Sequence, residues 1–267
     1  MTLRLLVVCE APADFRIATD LADRVLCDRI EWLDESLLPA QRSWAEIEPG
    51  RPFLRWQDLK HLKLPNGRPP RPRSRFGDEP TAPDAAAADI ALQFAAFLPH
   101  SERPAAVLLI RDADNQPERR RGLQQASTRE TGQDWPFRII IGLADPKREA
   151  WVLAGFEPCD DAERACLQEL RRELGLDPRT HSERLGARTP GSKHDAKRVV
   201  NKLTADNRER EVKCWQEPPL EHLRTHGSAN GLRSYLLDLD AQLVPLIGRD
   251  TTPPSPAHAR PLSPPSR

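Results

Sequence analysis

Sulfur is scarce in this 267-residue chain, whose five cysteines (Cys9, Cys27, Cys159, Cys166 and Cys214) are odd in number and form no C-x-x-C pair. That excludes the usual zinc-ribbon and dithiol redox frameworks and leaves reduced thiols, as expected of a cytoplasmic protein. Net charge is missing too. Lys plus Arg and Asp plus Glu both number 40, so no global field draws the chain to nucleic acid or to an acidic membrane, and any such binding has to come from local patches. Long apolar runs are absent: none approaches the roughly 20 residues of a membrane span. The opening LRLLVVC is too short for the apolar run of a signal sequence, and its only basic residue is Arg4. No membrane partner is expected. Against these absences stand 27 prolines, which place part of the chain outside any packed core.

What is present is an alternation of strand and helix patterns. Leu3 to Cys9 is a continuous Leu/Val run, as in a parallel strand buried on both faces. Beyond Glu10, the stretch from Ala13 to Ile30 carries Ile17, Ala18, Leu21, Ala22, Val25 and Leu26 at helical spacing. Residues 31–84 lose this order. With Trp32, Trp44, Trp56 and the run PNGRPPRPRSRFGDEP, they read as an irregular Pro/Arg-rich insertion or mobile loop, and the tryptophans lack the matching flanks of a repeat. Asp84 is the expected N-cap of an Ala-rich helix through Leu98, and Ala105 to Ile110 is a second strand. A polar helix from Gln116 to Glu130, a third strand in FRIIIGLAD, and a helix in PKREAWVLAGF with Asp145 as N-cap and Pro146 at its first position follow. Further helices are expected over Asp160 to Leu174, Asp195 to Leu203 and Gly231 to Ile247, the last striped by Leu232, Leu236, Leu239, Leu243 and Leu246. The fold class is therefore α/β, a doubly wound parallel sheet flanked by helices. Residues 3–156 form its core, 157–248 are a helical part completing it, and 249–267 a disordered tail.

In an open parallel sheet, ligands bind beyond the carboxyl ends of the strands, and each strand here ends in acid. Glu10 follows the first, with Asp14 one helical turn on; Asp112 and Asp114 follow the second; Asp145 and Glu149 follow the third. Such a set suits Mg²⁺ or Mn²⁺, hard cations that prefer carboxylate and water. Asp145 before a proline is better read as an ordinary helix cap, and Asp14 and Glu149 fit equally as first-turn dipole partners. Asp112 and Asp114 are different: two like charges at a buried strand end repel unless a cation lies between them.

The stretches VVCEAPAD, LLIRDADNQ and GLADPKREAWVLAGF resemble the toprim domain, specifically the toprim-like nucleases related to the OLD (overcoming lysogenization defect) family. The resemblance spans roughly Leu3 to Phe156 and lies chiefly in the order of short motifs. It implies a toprim-like sheet and a metal-dependent nuclease in which Glu10 is the family's glutamate, Asp112 and Asp114 its D-x-D pair, Glu149 an additional acid and Asp14 a second acidic residue after the first strand. It implies Mg²⁺ or Mn²⁺ as cofactor, nucleic acid as partner (DNA before RNA), and a role in bacterial anti-phage defence or DNA maintenance. It also implies a downstream lysine, for which GSKHDAKRVVNKL offers Lys193 and Lys197, with Lys197 the better placed inside a helix. One departure is clear: the glycine that usually follows the glutamate is Ala11, then Pro12. The chain has no ATPase motif, so an ATPase or other defence-system subunit is the implied protein partner.

Local basic patches supply candidate nucleic-acid contacts: Arg55, Arg71, Arg73 and Arg75, near Trp56 and Phe76, together with Lys193. The alternatives are a catalytically inactive toprim-like scaffold, and a haloacid-dehalogenase-type phosphohydrolase with Asp112 as nucleophile and Asp114 as general acid, although Asn115 follows in place of Thr or Val. GARTPGSK fails as a phosphate loop because its Lys and Ser are transposed and no strand precedes it. His222 and His226 with Cys214 lack the Glu of H-E-x-x-H, and the only tyrosine, Tyr235, sits in a leucine-packed helix and reads as core rather than nucleophile.

Overall fold

The computed structural model describes residues 2–48, 50–73, 76, 79–128 and 134–248; the expected disordered tail, Arg75 and Glu130 lie outside the described residues. β1 (Leu3–Cys9) leads into α1 (Pro12–Arg29), and α2 (Leu38–Gln41), β2 (Arg42–Trp44) and β3 (Leu54–Arg55) follow. Then come α3 (Ala85–Phe97), β4 (Ala106–Asp112), α4 (Glu118–Ser127), β5 (Arg138–Ala144) and α5 (Arg148–Ala154). The remaining helices are α6 (Asp161–Leu174), α7 (Ala196–Thr204), α8 (Arg208–Gln216), α9 (Leu220–His226), α10 (Leu232–Asp238) and α11 (Val244–Gly248). The strands form one parallel sheet in the order β2-β1-β4-β5, with β3 pairing β1 beyond β2. The α/β class with a helix-flanked parallel sheet is as expected.

Strand alternation divides the core into two layers. Leu5, Val7, Cys9, Ala106, Leu108 and Ile110 face α1 and the helices from α5 onward. Leu6, Val8, Val107 and Leu109 face α3 and α4. The helices after residue 157 pack into the first layer, so they complete the same core. Tyr235 is fully buried there, its ring stacked on Trp151 at 5.1 Å and its hydroxyl donating to the Ala18 carbonyl at 2.8 Å, as its core reading requires. Among the described residues, no helix is long and apolar enough to cross a membrane.

Three local expectations are corrected. Residues 31–84 are not uniformly irregular: β2 and β3 add to the β1 edge, a 3-10 turn at Trp56–His61 follows, and Trp56 Nε1 donates to the Ile110 carbonyl at 2.7 Å. These strands are two and three residues long, too short to show periodicity. Asp84 does precede α3, but in the left-handed region (φ 65°) with no side-chain cap, because its carboxylate faces Arg111 and Arg119 instead. Asp145 is not the cap of α5 either. The helix begins two residues later than expected, with Lys147 in the cap position and a cis Asp145–Pro146 bond before it.

Candidate metal centre at the carboxyl end of the sheet

The site is built by strand register. β4 continues two residues past its apolar run, and since side chains alternate, Asp112 falls on the same face as Leu108 and Ile110, toward α1 and α5. Arg111 then falls on the opposite face, toward α3, with its guanidinium 5.4 Å over the Trp56 ring. The adjacent β1 ends at Cys9, so Glu10 stands beside the end of β4. The first turns of α1 and α5 bring Asp14 and Glu149 to the same place.

Four acids meet there. Burial, and then the charges of Asp14, Glu149 and Glu10, push the Asp112 carboxyl up from 3.8 to about 8, although Arg148 N–H donates to it at 2.8 Å. That donor is one of the free amides at the start of α5, so Asp112 performs from across the sheet the capping expected of Asp145. Asp14 accepts from Ala11 N–H at 2.9 Å, which closes the first turn of α1 where the glycine is absent. Its carboxyl is also raised, first by burial, against the lowering influence of Ala11 N–H and Arg148.

The cation among these acids is Arg148. Its guanidinium lies 2.5 Å from Glu211, 3.2 Å from Glu149 and 3.7 Å from Asp14. Burial alone would lower its pKa, but Glu149 and Glu211 outweigh that and raise it. A second chain of charges runs along the α3 side: Glu10 pairs with Arg111, Arg111 reaches Asp84 at 3.0 Å, Arg119 reaches Asp84 at 3.2 Å and Asp114 at 2.8 Å.

Comparison with protein-family models, with curated proteins and with solved structures finds no match. The site therefore stands on its own geometry.

Of the residues singled out in the sequence, Glu10, Asp14, Asp112 and Glu149 converge. Asp114 does not join them. It sits in a left-handed turn (φ 50°) and pairs with Arg119, while the acids that weigh most on Asp112 are Asp14, Glu149 and Glu10. The two acids expected to share a cation thus lie apart, because the chain turns immediately after the strand and Arg119, in the first turn of α4, pairs with Asp114. Lys193 and Lys197 are exposed, and neither ammonium makes an ion pair or hydrogen bond with the acids among the described residues. The loop that holds Lys193 is tied to the turn after β4, where Asn115 Nδ2 donates to the Gly186 carbonyl at 2.8 Å, and Lys197 lies in the first turn of α7. The cation that does reach the acids is Arg148.

Two of the expected nucleic-acid contacts are spent within the fold. Arg73 pairs with fully buried Asp89 at 2.8 Å and donates to the carbonyls of Gln125, Ala126 and Thr128. Arg55 pairs with Asp58 at 2.8 Å. Arg71 is exposed. Sequence reading passed over Arg148, Glu211, Arg111 and Arg119. Arg148 had a signal, since it adjoins Glu149 in the first turn of a helix; Glu211, more than sixty residues downstream, had none.

In donor chemistry the four carboxylates fit a hard divalent cation, with Cys9 buried and its thiol pKa pushed up by burial, then by Asp14. In arrangement they are held by arginine and amide partners, and among the described residues no group of three or more His, Cys, Asp or Glu side chains is disposed to hold a metal ion.

Proposed function

We propose that the chain is a divalent-metal-dependent phosphodiesterase acting on nucleic acid, with a toprim-like sheet. The observation that carries this reading is the convergence of Glu10, Asp14, Asp112 and Glu149 beyond the carboxyl ends of β1 and β4, where burial and then the charges of the other three raise Asp112 to about 8. A fold tolerates such crowding where charge is needed. On this reading Asp112, Asp14, Glu149 and Glu10 would supply the ligands for Mg²⁺ or Mn²⁺, which requires the Arg148 guanidinium to give way, since the acids as they stand are not disposed as a metal group. When bound, the ion supplies Lewis-acid polarisation of a phosphoryl oxygen and a water of lowered pKa. Glu10, whose side chain is 41 % exposed and the most open of the four, is placed to exchange a proton with solvent or a leaving group. Arg148 balances Asp14, Glu149 and Glu211 and presents donors at the edge of the acid cluster, where charge develops in phosphoryl transfer. An ATPase or other defence-system subunit is the proposed protein partner.

A second reading, the inactive scaffold, is favoured by one observation: the Arg148 guanidinium already pairs with Asp14 and Glu149, two of the four acids that a metal would use. The phosphohydrolase alternative loses its general acid, since Asp114 is held by Arg119. The test is cleavage of supercoiled plasmid and of labelled single-stranded DNA and RNA with Mn²⁺ or Mg²⁺, comparing wild type with Asp112→Ala. Metal-dependent cutting that disappears in the variant supports the nuclease. No cutting together with no Mn²⁺ binding by calorimetry would transfer the conclusion to the scaffold.

A further inference from the structure

With Arg51 and Arg55 engaged by Asp58 and Arg73 by Asp89, Arg68 and Arg71 are the arginines of the basic segment left without an acid among the described residues. Their backbone is pinned. Leu64 N–H donates to the Arg68 carbonyl and Gly67 N–H to the Leu64 carbonyl, each at 2.8 Å, while Arg68 N–H donates to Asn66 Oδ1 at 3.0 Å. Gly67 takes φ +77°, which a side chain would resist, so the tight turn depends on glycine. The Arg71 carbonyl accepts from Gln93 Nε2 on α3 at 2.7 Å. Both side chains are nevertheless exposed, and neither guanidinium has a carboxylate partner among the described residues.

Between this turn and the end of α3 lies an open hollow of about 450 Å³, bordered by Asn66, Arg68, Arg71, Gln93 and Phe97. Phe97 is 58 % exposed, more than any other large apolar side chain among the described residues. Held backbone, unpaired guanidinium groups and one outward ring ask for a ligand that alternates anions with flat apolar faces. That is the repeat of a single-stranded nucleic acid. A duplex offers no base face to the ring, and a protein would have to bring acids and an apolar socket at matching spacing.

We propose that Arg68, Arg71 and Phe97 form a docking surface for single-stranded nucleic acid, with a base stacked on Phe97 and phosphates on the two arginines. It lies about 20 Å along α3 from Asp84, and so from the acid cluster joined to it through Arg111. The proposal rests on nucleic acid being the substrate, though not on its being cut. At that distance from the acids the surface serves affinity rather than chemistry.

Fluorescence polarisation of labelled single-stranded DNA and RNA 20-mers, in EDTA so that metal plays no part, tests it. Phe97→Ala is expected to weaken binding about tenfold, the size of one lost base stack. Arg68→Glu with Arg71→Glu is expected to weaken it further and to flatten the dependence of log Kd on log salt by about one unit or more. Because binding is read in EDTA, a wild type that binds here but cuts nothing with Mn²⁺ fails the nuclease reading alone, which separates the two. Unchanged affinity in both surface variants, or equal wild-type affinity for duplex, would overturn it. So would self-association abolished by Phe97→Ala in a protein that binds no nucleic acid, since the surface would then belong to a second copy of the chain.

Discussion

Replacing Asp112 by Asn removes a titratable group from the centre of the acid cluster while keeping an oxygen that accepts from Arg148 N–H. In the folded protein the carboxyl titrates near 8, against 3.8 when free of the fold. A carboxyl raised in this way contributes fully below pH 3.8, and its contribution is lost as pH rises through 8, because the unfolded chain ionises first. At pH 7 the difference disfavours the metal-free wild type by about 4 kcal/mol, since each pKa unit is worth about 1.4 kcal/mol. Asparagine escapes that cost. Asp112→Asn should therefore match wild type near pH 4 and gain on it steadily to pH 8, with a melting temperature roughly 10 °C higher at pH 7 for a chain of this size. The assay is thermal and urea denaturation of both proteins in EDTA at pH 4.5, 6 and 7.5. Comparing the two at each pH cancels the other titrating groups. A variant less stable than wild type at pH 7.5, or an advantage that does not grow with pH, would refute the account of Asp112 as a crowded acid.

Under the proposed function, Mn²⁺ should displace about one proton at pH 7, because Asp112 is then mostly protonated and must ionise to act as a ligand; calorimetry in two buffers of different ionisation enthalpy reads this directly, and no difference between buffers would contradict it. Arg148→Met should destabilise the protein by about 3–5 kcal/mol in urea denaturation, since Glu211, with 9 % of its side chain exposed, loses its 2.5 Å partner; adding Glu211→Gln should recover much of the loss. Arg73→Ala should cost about 3 kcal/mol or more by leaving the fully buried charge of Asp89 with only the residue 73 N–H and Gln93 Nε2 as donors, yet leave nucleic-acid affinity of the folded protein unchanged, as polarisation assays would show. Arg55→Ala, which breaks only a part-exposed pair with Asp58, should cost under about 1 kcal/mol by the same denaturation measurement.

The main elements were legible because they are repetitive. The Leu/Val runs of β1 and β4 and the spacing of Ile17, Leu21, Val25 and Leu26 report burial at fixed periods, and α6 and α7 begin after Asp160 and Asp195 as capping chemistry requires. The acids at strand ends were legible for a related reason: parallel topology puts every strand's carboxyl end on one side of the sheet, so Glu10, Asp112 and Glu149 had to lie near one another. β2 and β3 were not, because short strands that borrow their pairing from β1 leave no period in the sequence.

What the sequence determined by itself is the layered α/β framework and the pooling of acids at one pole, both consequences of hydrophobic periodicity and strand direction. Which acids share that pole was decided only in three dimensions. Asp112 and Asp114 are two residues apart, yet the strand holds one inside while the turn delivers the other to Arg119. Arg148 and Glu211 are 63 residues apart and meet at 2.5 Å. Charge pairing acts through space and leaves no local pattern along the chain, so the partners of a buried ion emerge only when the helices have packed.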